Sequence, residues 1–161
     1  HDAEMLDQQE ISDRLELVDL MVRYSHAVDT RSFGDFDHIF TEDAVIDYTA
    51  FGGPRGTVDE IETYLTETLA PFPTFQHLVA NPLLVIDGDV ASGRTMCFNP
   101  MGVARPEGES GEPRMFFCGL WYEDQFVRTG DGWRIRERFE VKSWTHNMGP
   151  AFSGGAAARK D

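Results

Sequence analysis

From Ile11 onward apolar side chains return every three or four residues, which predicts an amphipathic helix over roughly residues 10–29. Ile11, Leu15, Val18, Val22, Ser25 and Asp29 share one line along that helix, and Leu17, Met21, Tyr24 and Val28 form the neighbouring line. The first line is expected to face the core, so Asp29 reads as a carboxylate extending a buried stripe. Such a group loses hydration and needs a partner. TRSFGDFDHIF then predicts a short helical turn with Phe36, Ile39 and Phe40 inward, followed by a short strand over 44–49. FGGPRG is a turn-rich loop. Thr57 opens another helix, with Glu60 at the spacing of a capping box and Val58, Ile61, Leu65 and Leu69 as the buried stripe.

Beyond Pro73 the chain reads as strand. Two hairpins are expected, one turning at DGD (87–89) and one at TGD (129–131), with ARPEGESGEPR as the loop between them. In the last strand Trp133, Ile135, Phe139 and Val141 alternate with Arg134, Arg136, Arg138, Glu140 and Lys142. The charged set is expected to face solvent or an interface. The preceding strand is apolar on both faces (Met115, Phe116, Phe117, Cys118, Leu120, Trp121, Tyr122). Its second face needs cover, and a homodimer or homotrimer through the outer sheet face would supply it. Helices grouped ahead of an antiparallel meander give an α+β fold. The organisation expected is a polar lead-in over 1–9, one domain over 10–147 and a mobile tail over 148–161.

Charge narrows the partners. Fourteen basic against 28 acidic residues leave a net −14, which disfavours nucleic acid and anionic membranes. No run of 18 apolar residues is present, and the polar, acidic start does not read as a signal peptide, so a cytoplasmic protein is expected. Cys97 and Cys118 read as buried reduced thiols, with a disulfide open if their strands are neighbours. No cysteine or histidine cluster suggests a metal.

Among the five histidines, His77 stands apart at the start of the first long strand, among apolar neighbours in PTFQHLVAN. A three-residue turn at Asp87, Gly88 and Asp89 would set His77 opposite Asn99 on the paired strand.

The opening DLMVRYSHAVDTRSFGDFDHIFTEDAVIDY and the close YEDQFVRTGDGWRIRER resemble the SnoaL-like branch of the nuclear transport factor 2-like superfamily over residues 10–147. The nearest catalytic pattern is that of scytalone dehydratase and the bile acid 7α-dehydratases. The resemblance implies a cone-shaped barrel, with three N-terminal helices and a strongly curved, mostly antiparallel sheet enclosing an apolar cavity, and no cofactor. It implies catalytic roles for Tyr24, Asp29, Tyr48 and His77, and a related dehydrochlorinase shares the His–Asp pair. Bile acid dehydratases place a further acid on the strand after the histidine. This chain has Asn99 there, an amide that cannot hand on a proton.

The expected chemistry is dehydration of a hydrophobic cyclic hydroxy-ketone. His77 acts as base, Asp29 fixes its tautomer, and a tyrosine serves as acid or oxyanion donor. Asn99, Phe40, Met96, Phe117 and Trp121 are expected around the substrate. A polyketide cyclase or ketosteroid-type isomerase would use the same parts. A non-catalytic ligand-binding or assembly subunit is the alternative of another class.

Overall fold

Asp7 begins the first helix, α1 (Gln8–Asp29), by accepting a hydrogen bond from the backbone N–H of Glu10 at 2.8 Å. The computed structural model describes residues 5–149. After α1 come a short 3-10 turn (Phe33–His38), β1 (Phe40–Asp47), a second short turn (Thr49–Phe51), β2 (Arg55–Gly56) and α2 (Val58–Leu69). Five strands complete the fold: β3 (Thr74–Phe75), β4 (Leu78–Asp87), β5 (Val90–Val103), β6 (Arg114–Thr129) and β7 (Gly132–His146). The sheet runs β2-β1-β7-β6-β5-β3, with β4 also on β5. The β1–β7 pairing is parallel and the others are antiparallel. Curled around the helices, this sheet forms a half-barrel that matches the cone-shaped α+β fold expected. The expected tail from residue 150 onward and the first four residues lie outside the described residues.

Helix α2 follows its sequence pattern closely. Its capping box is made by Thr57 and Glu60, and Val58, Ile61, Leu65 and Leu69 are its buried residues. Helix α1 does not. Its buried line is Leu17, Leu20, Met21, Tyr24, Ala27 and Val28, while Leu15 is 66% exposed and Ile11, Val18 and Val22 also face solvent. Apolar residues occupy two adjacent lines, and the sheet covers only one. The covered line carries Tyr24, which stacks on Phe36 and meets Phe40 and Tyr122 edge-on.

Two bulges set the inner face of β7. Phe126 pairs with Ile135 and Gln125 with Glu137, so Arg136 is an extra residue. Side chains alternate along a strand, so one inserted residue transfers all that follow to the opposite face. Trp133 and Ile135 point inward before the bulge, and Arg138 and Glu140 point inward after it. The expected solvent-facing or interfacial row of charges is therefore corrected: Arg138 is fully buried. Its guanidinium donates two hydrogen bonds to Asp124, both at 2.8 Å. Lys142 continues the inner row, and a second shift between Gly119 and Leu120, where Ser143 is the extra residue, turns Trp144 to the outer side.

The far end of the half-barrel is tied by Asp13. This buried carboxylate accepts two hydrogen bonds from Arg128 (2.7 and 2.8 Å), one from the Trp133 indole (3.0 Å) and one from Gln9 (3.1 Å). These donors, Arg128 first, hold its carboxyl well below the usual range against the cost of burial. Cys97 and Cys118 are free buried thiols, and burial pushes them up to about 12 and 11.

Candidate active site

His77 stands just ahead of β4 and reaches the C-terminal end of α1. Its Nδ1 lies 2.7 Å from Asp29 Oδ1, and its backbone N–H donates to both Asp29 oxygens at 3.1 and 2.9 Å. Asp29 thus holds backbone and ring of one residue together, from a half-buried position at the helix edge. It does not extend the buried stripe. Its partner is nonetheless the histidine that the sequence singled out. With Asp29 accepting from Nδ1–H, the other ring nitrogen of a neutral imidazole is left with its lone pair as an acceptor.

That nitrogen, Nε2, lies 3.1 Å from Asn99 Nδ2. Asn99 Oδ1 is buried with no hydrogen-bond partner. The amide as placed donates to a neutral imidazole, and turned over it would accept from an imidazolium. The expected His77–Asn99 apposition is therefore present, but by another route. The hairpin turn is one residue shorter than expected, because Asp87 pairs directly with Val90. A bulge at Asn81 and Pro82 restores the register, and Asn81 takes a positive φ of 51° there. Two offsets of one residue cancel.

Tyr24 and Tyr48 meet through their hydroxyls. Tyr48 is held by the FGGPRG loop: its N–H donates to the Pro54 carbonyl at 2.9 Å, and its carbonyl accepts from Gly53 at 3.0 Å. A side chain at Gly53 would come within 2.8 Å of Tyr48 Cβ, so glycine permits this approach. Behind the pair, the Arg138 guanidinium is sandwiched 4.0 Å from the Tyr24 ring centre and 4.2 Å from that of Tyr122. Burial pushes the Tyr24 phenol up to about 12, with Arg138 opposing, and raises Tyr48 well above its ordinary value.

Tyr24, Tyr48, His77 and Asn99 line one cavity of about 130 Å³. Its other walls are mainly apolar, including Leu65, Leu69 and Met148. Glu140 also lines it, and the sequence reading placed Glu140 on the other face. Among the described residues it has no hydrogen bond or ion pair, and burial raises its carboxyl to about 8, with Arg138 opposing and Asp47 adding. Only a rule for locating the bulge would have found it, and the sequence carries none. Phe40 is core behind Tyr24 rather than wall. Met96, Phe117 and Trp121 lie on the outer face of the sheet, opposite in parity to Cys97, Cys118 and Leu120. Tyr64 lines the cavity and was not singled out by sequence.

Comparison with known proteins agrees with this fold. The chain is 48% identical over 147 residues to the uncharacterized protein Rv2910c of Mycobacterium tuberculosis, covering 91% of this chain and 97% of that one. A scytalone dehydratase-type protein of Novosphingobium aromaticivorans superposes with a TM-score of 0.73 at 16% identity, over 86% of this chain and 89% of the other. The LinA-type3 hexachlorocyclohexane dehydrochlorinase of Novosphingobium barchaimii gives 0.71 at 16% identity, over 84% and 89%. At such identities these two likenesses concern the fold. A SnoaL-like domain is matched over residues 9–139, and the chain belongs to that family.

Proposed function

We propose that this protein is a cofactor-free lyase that eliminates water from a small hydrophobic cyclic hydroxy-ketone. One observation carries the reading: His77, oriented by Asp29, faces an apolar cavity shared with a hydrogen-bonded tyrosine pair. In the first step Nε2 removes a proton from the carbon beside the carbonyl. The Asn99 amide turns over as the imidazolium forms, so that Oδ1 gains the hydrogen bond it lacks. The Tyr24–Tyr48 pair, with the Arg138 charge behind it, donates to the carbonyl oxygen as enolate charge develops. These phenols bind the oxyanion better than they surrender a proton, because burial has raised them.

The cavity limits the substrate. Its volume of about 130 Å³ is close to the roughly 150 Å³ that encloses a benzene ring. A single ring fits, and a larger substrate must extend through the mouth. The outer sheet face supports a homo-oligomer: Leu78, Met96, Phe98 and Trp144 are exposed there, and Phe98 stacks on Phe117 and meets Trp144 at 6.0 Å in each case.

The test is exchange and elimination on 3-hydroxycyclohexanone in deuterated water, followed by mass spectrometry. The wild type should take up deuterium beside the carbonyl and release cyclohexenone, and His77→Ala should do neither. A wild type that changes no mass across this and a panel of larger hydroxy-ketones would sink the lyase reading and leave a ligand-binding subunit.

A further inference from the structure

The proposed elimination leaves one step unassigned. When the enolate collapses, the carbon–oxygen bond breaks and hydroxide would have to depart into an apolar cavity. A departing hydroxyl needs a proton from an acid that can give it up near neutral pH. The family pattern would look for that acid on the strand after the histidine, and this chain has Asn99 there.

We infer that Glu140 is the acid: its carboxyl, turned into the cavity by the β7 bulge and free of any protein partner, protonates the departing hydroxyl. This rests on the elimination reading above. Three observations meet at this side chain. Glu140 lines the same cavity as His77 but from another wall, pairing on β6 with Tyr122, which pairs on β5 with Thr95, whereas Asn99 beside His77 lies four residues further along β5. Base and acid therefore approach a bound ring from different walls. Second, among the described residues no donor meets the carboxyl, although three other acids of the fold each have at least two: Asp13, Asp29 and Asp124. A half-buried carboxyl on an apolar cavity wall, left without donors, favours its protonated form. Third, the cation that opposes burial here, Arg138, gives Nε and Nη2 to Asp124 and makes no hydrogen bond to Glu140, its Nη1 being buried without a partner among the described residues.

The charged and titratable groups around Glu140 are Arg138 and Lys142 on its own strand, Tyr24 on α1, Asp47 at the end of β1 and Tyr48 just after it. Tyr64 on α2, Cys97 on β5, Cys118 with Tyr122 on β6, and His77 on the shared cavity complete the set. Burial outweighs Arg138, and the carboxyl titrates near 8, so it is protonated at neutral pH. The proton account closes. His77 accepts the proton from carbon, that electron pair forms the new double bond, and the hydroxyl leaves as water with the Glu140 proton. Imidazolium and carboxylate then return to their starting forms by exchanging one proton with solvent.

The experiment pairs two probes, 3-hydroxycyclohexanone and 3-chlorocyclohexanone, because chloride departs without a proton. Glu140→Gln should lose about a hundredfold or more in water elimination yet keep chloride elimination and deuterium exchange beside the carbonyl within a fewfold. Thermal melting establishes that the isosteric variant folds. Independently of turnover, the infrared difference between wild type and Glu140→Gln at pH 6.5 should show a protonated carboxyl that is lost as the pH passes about 8. An ionised carboxylate at pH 6.5 overturns the proposal, as does an equal loss, or no loss, on both probes with an active wild type. A wild type inert on both probes overturns the elimination reading itself, and this role for Glu140 with it.

Discussion

Asp13 and Glu140 are both carboxyls taken into the interior, and they are treated in opposite ways. At the closed end of the half-barrel Asp13 accepts four hydrogen bonds from three side chains. At the cavity Glu140 accepts none from the described residues. The first arrangement lowers the energy of the charged form and ties α1 to β6 and β7. The second raises it and leaves a proton in an apolar space. Asp29 stands between them, with its oxygens committed to one residue, His77, whose remaining nitrogen meets the Asn99 amide at the cavity wall. Partner count separates scaffold from chemistry here better than burial does.

The comparison breaks most visibly at Asp29 and His77. Either His77→Ala or Asp29→Asn should cut turnover of 3-hydroxycyclohexanone by about 10²- to 10⁴-fold, measured as cyclohexenone release, with little change in melting temperature. A loss that tracks unfolding would place Asp29 with Asp13, among the structural acids.

Asp13→Ala should cost about 3–5 kcal/mol of stability in denaturant titration, because Arg128 and the Trp133 indole lose their acceptor. Its folded carboxyl is depressed below the unfolded value of 3.8. The stabilisation is therefore present above that value and fades as the pH falls through it. The gap between wild type and Asp13→Ala should close in acid.

Glu140 has the opposite sign. Its folded carboxyl titrates near 8 against 4.5 unfolded, so the folded chain holds a proton that the unfolded chain has lost. Stability contributed by this group falls as pH rises from about 4.5 to 8. Glu140→Gln should therefore melt with the wild type at pH 4 and a few degrees above it at pH 8.5. Equal melting at both values would mean that Glu140 has water or ions enough to ionise freely.

The smallest effect is expected on the solvent side of α1. Leu15→Glu should change stability by no more than about 0.5 kcal/mol, measured in the same titration, because Leu15 is 66% exposed. A large loss would restore the stripe that sequence periodicity alone suggests.

Legibility in the sequence followed local chemistry. The cap and stripe of α2 were readable because one apolar line dominates that helix. In α1 two adjacent lines compete, and only the position of the sheet decides between them. Tyr24, Asp29, Tyr48 and His77 were recognisable as a set through family resemblance; the structure brings Tyr24, Tyr48 and His77 to one cavity, with Asp29 bonded to His77. Met96, Phe117 and Trp121 were misassigned because side-chain parity on a doubly apolar strand is silent about direction. Glu140 was hidden because parity in β7 holds only up to the bulge at Arg136.

That bulge bears on descent as well as on chemistry. Arg136 has no partner on β6, and deleting its codon would leave Phe126 opposite Ile135 and Gln125 opposite Glu137. Trp133, Ile135, Arg138 and Glu140 would keep their inward places, because the insertion changes spacing along the sequence and not register on β6. The codon can therefore be gained or lost along a lineage while the inner wall is inherited unchanged. Two relatives can share one cavity wall although one alternates here without interruption and the other does not.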